Sequence, residues 1–551
     1  MKKIFISLIL LASVFGAAAQ DIYSATGISE NFYSGTARSI ALGNAMTAVG
    51  GDLGSFTINP AGSAVNQFNQ ITLSPGLSVA FNSSRYAPTF DAGRGISDSD
   101  FGSPNNSNYT RFVVPNVGLN FNFETGNRVG LVSFSFGFLS NVTNNYLDRA
   151  VAFGQNIETS MLGALAGDAT RDIYNDYWSL NDAVASNAYM IINGAEVGLS
   201  ESQFFGVTES PDAAGIWSTQ GIANPLNQIS SVQSYGVKND LLLNMGFNIS
   251  NKVYLGINFG MPRSRYGYQE TFTERAEYPD EYPIYESEYT FKSSTYAYQL
   301  DRSVSGVYAK FGAIVLPTKD LRVGLAVQTP VSYNVSEGYR VSGNLTTDGF
   351  SNNSSDTDNW SYRLTAPYRI NAGVAYTFSN RGFVSVDYEM ADYSIMKFSG
   401  VYDYATDYYY SNMLNRLFRG VQHMLRIGAE YRVTPAFSVR AGYNMTTTPE
   451  RYYEYNGEKV TPDNYFDFQG VALGGPKYYS DRTRAFSAGI GYSTPGSLFV
   501  DLAARYTVYP VSTFLPYSDY VYYGETLLAP SPTVSSRKSI LDIVLTVGLR
   551  F

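Results

Sequence analysis

The sequence predicts an all-β protein, a 14-stranded antiparallel transmembrane β-barrel with an N-terminal luminal plug. Three observations predict it. Apart from its first 19 residues, the chain has no apolar run near the roughly 20 residues of a membrane-spanning helix. Segments that alternate between apolar and polar residues recur along its whole length. Charged residues make up only 15% of the chain, and aromatic residues also make up 15%, whereas soluble domains carry about 25% charged residues.

The N-terminus predicts export. Lys2 and Lys3 precede the apolar run 4–15, and the small residues 17–19 form a cleavage site. We expect residues 1–19 to be a signal peptide that is removed. The remaining chain divides into a plug at 20–69 and a barrel at 70–551, whose longest outer loop, 140–238, contains helical parts.

Fourteen segments have the length and alternation of membrane-spanning strands, which need about 9–11 residues each. They are 70–81, 112–123, 129–139, 239–249, 252–262, 306–316, 321–331, 366–378, 382–392, 422–433, 436–446, 484–493, 497–508 and 538–551. Alternate positions of each segment share one apolar face, which we call the apolar parity. Apart from the end residues of each segment, this parity carries no Asp, Glu, Lys or Arg. A charge facing lipid costs about 2–4 kcal/mol at the membrane midplane. A soluble β protein, the weaker alternative, would place charges on its exposed parity.

The connections alternate between short and long, beginning with a long one after the first segment. Bacterial outer-membrane barrels have short periplasmic turns and long outer loops. The chain also ends on an aromatic residue, Phe551. These features predict a multi-pass barrel in the bacterial outer membrane, surrounded by lipid and lipopolysaccharide.

Composition excludes several classes of function. The chain has no cysteine and a single histidine, His423, on the outward parity of its strand, so thiolate chemistry and histidine-based catalytic sites are excluded. Its net charge of −9 argues against a nucleic-acid partner. We expect no enzyme activity, no cofactor and no metal site. Acidic residues within 277–289 could bind Ca²⁺, although a solvated loop explains them better.

Residues 20–69 do not alternate, and the stretch 35–49 is rich in small residues. Small residues allow the backbone to pack closely against another backbone. A 14-stranded barrel is too wide for its own side chains to fill. We therefore place this segment in the lumen.

The run G-x-A-R-x-x-x-L-G-x-A from Gly35, with Asp52 and Asn59-Pro60-Ala61, resembles the N-terminal hatch of the FadL/TodX family. These are outer-membrane transporters of long-chain fatty acids and aromatic hydrocarbons. The resemblance implies capture in an outer-loop groove, a luminal pocket closed by the hatch, and lateral release at a kink in the third strand. It implies a gating role for Gly35, Arg38, Gly43, Asp52, Asn59, Pro60 and Ala61. Gly130 and Gly137 are the kink candidates, with ordinary packing as the alternative.

Two sets of residues are candidates for ligand binding. The arginines Arg322, Arg369, Arg426 and Arg440 could pair with a fatty carboxylate or, alternatively, with luminal acids. Leu162, Leu165 and Trp178 in loop 140–238 could line a capture groove or, alternatively, form the loop's own core.

The predicted function is passive uptake of hydrophobic molecules by a monomer, with long-chain fatty acids as the leading substrate. A hydrophilic diffusion porin and a structural or adhesive barrel remain alternatives. Uptake of aromatic hydrocarbons or of haem ranks lower, because haem is commonly held by an axial His, Cys, Met or Tyr and the one histidine faces outward.

Overall fold

The computed structural model of the protein describes most of the chain. The described residues are 22–88, 98–198, 200–211, 217–222, 224–284, 287–378, 381–400, 405–462, 464–468, 470–494, 497–518, 520–522, 526–529 and 531–551. The predicted signal peptide and parts of two predicted turns, 379–380 and 495–496, lie outside these ranges.

Fourteen long strands form the barrel, and they are numbered here in chain order. They are β1 Gln70–Ala87, β2 Asn105–Glu124, β3 Leu131–Asn145, β4 Leu226–Ile249, β5 Val253–Ala276, β6 Phe291–Val315, β7 Leu321–Gln328, β8 Arg369–Phe378, β9 Gly382–Asp392, β10 Val421–Arg432, β11 Phe437–Thr447, β12 Arg482–Ser493, β13 Leu498–Val508 and β14 Thr533–Arg550.

Each strand pairs antiparallel with its neighbour in sequence, and β1 pairs with β14 to close the ring. The closing register runs from Gln70 opposite Arg550 to Ala87 opposite Thr533. Each of the fourteen predicted segments overlaps one of these strands. The predicted fold class is therefore confirmed.

The barrel exposes apolar side chains and buries charged ones, which is the reverse of a soluble protein. Apolar side chains cover the outside of the barrel, where Leu325 is 50% exposed and Val374 is 48% exposed. Polar and charged side chains line the inside, where Asp387 and Arg426 are fully buried. Within the fourteen predicted segments, two charged residues lie on the outward face, Asp392 and Arg484, and both lie at the loop end of their strands.

The alternation in the second strand differs from the prediction. Ser74 pairs with Asn116, but Gly76 pairs with Val113, so the ladder between β1 and β2 is irregular beside Pro115. Proline cannot donate to a ladder and is found at bulges. Beyond this point Phe112 is exposed and Val113 is buried, whereas the sequence pattern placed Val113 outward.

The loop end of the barrel carries a second layer of structure. A hairpin of strands Ser332–Thr347 and Ser351–Thr365 extends the wall beyond β6. Short strands complete this layer: Asp148–Ile157, Ile191–Asn193, Phe204–Gly206, Glu209–Pro211, Trp217–Ile222, Lys397–Ser399, Arg451–Tyr455, Glu458–Val460, Lys477–Tyr478, Ser512–Phe514, Tyr520–Tyr522 and Thr526–Ala529.

The helices are α1 Ile22–Ser29, α2 Ala37–Ala41, α3 Met161–Tyr174, α4 Leu180–Asn187 and α5 Ala405–Phe418. Short 3₁₀ turns span Leu53–Thr57, Pro60–Ser63, Asp98–Asp100, Gly194–Val197, Pro279–Glu281, Tyr393–Ile395 and Tyr465–Phe468. Helices α3 and α4 of the 140–238 loop pack with Phe272, Tyr296 and Tyr298 of β5 and β6 in one apolar core. None of the helices within the described ranges is long and apolar enough to cross a membrane.

Closure of the ring is testable with paired cysteines, because the chain has none of its own. Leu73 and Val547 are opposed across the β1–β14 seam, at a spacing that a disulfide can bridge. We expect Leu73→Cys with Val547→Cys to cross-link on oxidation and to change the gel mobility of the unfolded chain. Leu73→Cys with Ile490→Cys should not cross-link, and an uncross-linked first pair would contradict closure.

Candidate functional site

The segment from residue 22 to residue 66 packs against the polar inner face of the barrel; we call it the hatch. Its folding is set by short polar side chains that cap turns. The side chains of Thr36, Asp52 and Asn59 accept hydrogen bonds from the backbone of Ser39, Gly54 and Ala61, respectively. All but a few residues from 33 to 66 are buried. The capping hydrogen bonds therefore satisfy backbone N–H groups that water cannot reach.

Among the glycines on the inner wall that make room for the hatch are five on five different strands. This glycine collar consists of Gly256, Gly312, Gly324, Gly428 and Gly442, on strands β5, β6, β7, β10 and β11. A Cβ atom added at any of them would lie within 2.5 Å of a hatch atom. At Gly256 that atom is the Pro60 carbonyl carbon, and at Gly442 it is the Gly43 nitrogen. The hatch backbone therefore contacts the wall backbone directly.

Charged wall residues hold one side of the hatch. The Arg38 guanidinium pairs with Glu430, with Nε 2.8 Å from Oε2. Glu430 also pairs with Arg440 at 2.6 Å, and Arg440 pairs with Asp501 at 2.5 Å. The hatch arginine thus belongs to a chain of alternating charges that crosses β10, β11 and β13.

A second charged cluster is centred on Glu389 of β9. Its carboxylate accepts from Arg369 at 2.9 Å, from Arg426 at 2.7 Å and from the Tyr33 hydroxyl of the hatch at 3.1 Å. The Arg426 guanidinium also lies 5.3 Å from the centroid of the Tyr33 ring. Because all of these groups are buried, each charge depends on its partners.

Wall side chains also bind the hatch backbone. Lys310 Nζ donates to the Thr57 carbonyl at 2.8 Å, and Lys238 Nζ donates to the Ile28 carbonyl at 2.9 Å. In the opposite sense, the Thr47 backbone nitrogen donates to Asp387 at 2.6 Å. The hatch is therefore held through its peptide groups as well as its side chains.

Asn59 connects the hatch to itself and to the wall. Its amide nitrogen donates to the Thr47 carbonyl at 2.7 Å and to the Ala313 carbonyl of β6 at 3.2 Å. Its amide oxygen accepts from the Ala61 backbone nitrogen at 3.1 Å. Pro60 and Ala61 are fully buried beside it, so this triplet is one of the points where the hatch is fixed.

The third strand leaves the wall at its loop end. It pairs with β2 only as far as Asn141 opposite Asn116. Beyond that point its register with β4 shifts between Val142 and Asn144. There the hatch backbone takes β2's place, because Phe32 and Ser34 donate to the carbonyls of Thr143 and Val142 at 2.7 and 2.9 Å.

At the loop end, another strand lies between β2 and β4 where β3 no longer pairs with β2. Strand Asp148–Ile157 pairs with β4, and Asn105 and Ser107 of β2 donate to its Val151 and Arg149 carbonyls at 2.8 and 2.6 Å. Between β2 and the loop end of β3 lies a cavity of about 20 Å³, lined in part by Phe32, Val113, Pro115 and Val142.

The predicted kink glycines lie elsewhere on this strand. Gly130 is in the turn before β3, with φ +79°, and its nitrogen donates to Ser250 Oγ at 2.9 Å. Gly137 pairs regularly with Asn120 and Asn244, and an added Cβ would lie 3.0 Å from Phe56 of the hatch. The pairing of β3 with β2 ends at Asn141, and a kink at Gly130 or Gly137 stays a prediction.

The predicted hatch residues occupy distinct positions. Gly35 packs on Gly54, where an added Cβ would lie 3.2 Å from its Cα atom. Gly43 has φ +60° and faces the Tyr443 backbone. The Asp52 carboxylate accepts from the Thr36 hydroxyl at 2.6 Å. A gating role for these residues stays a prediction.

The four candidate arginines are all engaged by the protein. Arg322 Nη1 donates to the Val49 carbonyl of the hatch at 2.9 Å, and Arg369, Arg426 and Arg440 pair with carboxylates as described above. The arrangement is the one expected from the alternative interpretation, in which luminal charges pair with each other. Ligand binding by these arginines stays a prediction.

The loop candidates separate into two environments. Leu162 and Leu165 are buried in the core around α3, as the alternative interpretation expected. Trp178 is 41% exposed and packs on Phe204, with ring centroids 5.3 Å apart. A groove role remains untested for all three.

Burial perturbs two hatch carboxyl groups. Burial raises the pKa of Glu30 to about 7, and the nearby Glu450 acts in the same direction. Burial also raises the pKa of Asp52, against the opposing effect of Arg38. Glu30 therefore changes charge near neutral pH.

Within the described ranges, no group of three or more His, Asp or Glu side chains could hold a metal ion. Two residues of the acidic stretch 277–289 lie outside those ranges. His423 lies on the exterior, where its Nδ1 is 2.6 Å from the Tyr388 hydroxyl.

Sequence reasoning missed the glycine collar, Tyr33, and the hatch segment that pairs with β3. A signal for the collar was present, because all five glycines fall on the polar parity of their strands. Glycine at such a position removes a side chain exactly where a luminal segment needs space. No local pattern marked Tyr33.

The fold and this site define the protein as a 14-stranded barrel whose lumen is occupied by its own N-terminal segment. No family model matches the chain, and no curated protein matches it. Among solved structures, it is similar to a Pseudomonas aeruginosa FadL homologue, at 13% identity and a TM-score of 0.47, covering 94% of this chain and 98% of that one. It is also similar to the Pseudomonas putida toluene transporter TodX, at 11% identity and a TM-score of 0.45, covering 95% of this chain and 100% of that one. The Ralstonia pickettii toluene transporter TbuX is similar too, at 11% identity and a TM-score of 0.44, covering 95% of this chain and 99% of that one.

The glycine collar gives a prediction about the hatch. Gly442→Ala would place a methyl group 2.1 Å from the Gly43 nitrogen, so the hatch backbone must shift. We expect faster amide hydrogen exchange at residues 36–48 while the barrel stays folded. Gly475→Ala is the control, since nothing lies within 4 Å of that position. Unchanged exchange in a folded Gly442→Ala barrel would refute the close contact.

The Glu389 cluster gives a prediction about stability. Glu389→Gln leaves the buried charges of Arg369 and Arg426 without a carboxylate, which typically costs about 3–5 kcal/mol. We expect a loss of this size in the free energy of unfolding in urea. Glu124→Gln, at an exposed position, should change it by less than about 0.5 kcal/mol. Equal effects would show that the cluster does not stabilise the fold.

Proposed function

We propose that this protein lies in the bacterial outer membrane and carries hydrophobic molecules, with long-chain fatty acids as the leading substrate, through a barrel gated by its hatch. The observation that carries the proposal is the loop end of β3, where pairing with β2 ends at Asn141 and the register with β4 shifts. There the wall has a gap between β2 and β3, and the hatch backbone is bonded to the strand beside that gap.

The exterior supports the membrane placement. Apolar side chains cover it, and the only charged residues on the outward parity of the predicted segments lie at their loop ends. A bilayer is the environment in which such a surface is stable, since a β-barrel leaves no backbone group unpaired. The export signal predicted from the sequence agrees with this location.

Among the described residues, the hatch occupies the lumen at the level of the glycine collar. The described cavities beside it measure about 20 and 10 Å³, far smaller than a fatty acid. A molecule entering from the loops can pass only if the hatch, the loop end of β3, or both, move.

Movement of the loop end of β3 away from the hatch is energetically accessible. Phe32 and Ser34 hold β3 through two backbone hydrogen bonds, each with a net value of about 0.5–1.5 kcal/mol. Binding of an apolar molecule, at about 25 cal/mol per Å² of buried apolar surface, supplies enough free energy to break them. Because the bonded strand borders the gap, its release from the hatch and the lateral opening of the wall become one event.

The substrate assignment rests on the resemblance of the hatch residues and on the apolar exterior at the exit. The passage of apolar molecules sideways into lipid avoids their transfer into water. A hydrophilic porin does not fit a lumen filled by its own N-terminal segment.

A reversible lock tests the proposal. Ser34→Cys with Val142→Cys joins the hatch to β3, where their backbones are adjacent. We expect oxidised cells to lose uptake of labelled oleate and reduced cells to regain it. Leu73→Cys with Val547→Cys is the control, because it locks the wall without touching the hatch. Uptake that is equal in oxidised and reduced cells would refute hatch gating.

Deletion of Asn59-Pro60-Ala61 gives a second test, at matched surface levels and against an empty vector. Oleate uptake by the wild type that the deletion abolishes is the expected result. If all three strains behave alike, fatty acid is the wrong substrate, and toluene uptake and bilayer conductance would be measured next. High conductance by the wild type would favour a porin.

A further inference from the structure

The exterior of the barrel carries a basic groove beside the loop end of β3. It is a cavity of about 1000 Å³ on the wall above β4, β5 and β6, continued by the hairpin Ser332–Thr347 and Ser351–Thr365. Arg263, Arg265 and Arg363 line it, and all three are exposed. Arg111 of β2 also lines it.

Strand pairing brings these arginines onto one face. Arg263 is opposite Asn239 on one side and Ser305 on the other, and the row continues through Asn334 to Arg363. The next row contains Arg265, Ser303, Ser336 and Ser361. Guanidinium, hydroxyl and amide groups therefore share one concave surface.

The groove has no acidic counterpart. No Asp or Glu is among its lining residues, and neither Arg263, Arg265 nor Arg363 forms an ion pair with another described residue. Asp301, one row further out, accepts from Gln299 at 3.0 Å. In a chain of net charge −9, several uncompensated arginines in one cavity form a site for an anion.

The position of the groove relative to the apolar band of the barrel indicates which anion it binds. Outward residues Val253 to Met261 of β5 are apolar, and nine residues is about the length of a membrane-spanning strand. Arg263 is the next outward residue. The apolar row directly below the arginines contains Leu241, Met261 and Val307. The arginines thus lie at headgroup level on the loop side, with a surface for acyl chains beneath them.

We propose that this groove binds the phosphate groups of a phosphorylated glycolipid of the outer leaflet. Arginine pairs with phosphate through two parallel hydrogen bonds, and the serine and asparagine side chains supply further donors. The apolar row below distinguishes a lipid from a free phosphate ion. The inference rests on the membrane placement in the proposed function and is independent of the substrate and of hatch gating.

The test uses the full-length protein inserted in phosphatidylcholine vesicles, with a diphosphorylated lipid A or its dephosphorylated form added. Binding is measured by lipid-dependent quenching of tryptophan fluorescence and by the shift in Tm. We expect the wild type to prefer the diphosphorylated lipid. Arg263→Gln, Arg265→Gln and Arg363→Gln together should weaken that binding at least about tenfold and leave binding of the dephosphorylated lipid unchanged.

The control changes the same number of charges at the opposite end of the barrel. Arg128→Gln, Arg381→Gln and Arg432→Gln are exposed near the short turns, and this variant should bind like the wild type. Equal binding by both triple variants, or equal protection by inorganic phosphate, overturns the site. A wild-type protein that fails to insert into vesicles overturns the membrane placement as well, whereas insertion without lipid preference overturns this inference alone.

Discussion

The rest of the structure depends on one constraint, which is that fourteen strands enclose more space than their own side chains can fill. The glycine collar resolves it by removing side chains from the wall, so that a segment of small residues fits against the strands. Polar groups on both sides then face each other without water. Their hydrogen bonds and ion pairs are therefore obligatory and fix the hatch in one position.

Two kinds of attachment coexist in that interface. Buried charges such as Arg38 with Glu430, and Tyr33 with Glu389, are costly to separate singly. The backbone hydrogen bonds from Phe32 and Ser34 to β3 are individually weak. Tyr33, which lies between Phe32 and Ser34, is bonded to Glu389, so this stretch of the hatch is anchored and the step of low cost is the release of β3 from it. The gap in the wall lies beside that strand.

The strands could be predicted from sequence because their pattern is local. A residue two positions away shares the same face, so Leu325 and Val374 were placed on the exterior correctly. The prediction failed at Val113, because Pro115 shifts the ladder by an amount that only the pairing with β1 reveals. The pairing of β3 with β2 ends at Asn141, beyond which the hatch backbone donates hydrogen bonds to the strand, and no local pattern in the sequence marks that position.

The sequence by itself determined the fourteen strands, which face of each strand is apolar, and that charged residues of both signs line the lumen. Alternation with a period of two and the cost of charge in lipid are both properties of residues near one another in the chain. Only the tertiary structure decided which charges pair, which glycines meet the hatch, and that Arg263 and Arg363 share one groove. Those contacts join residues on different elements, as far apart in the chain as the 392 positions between Arg38 and Glu430, and no local pattern records them.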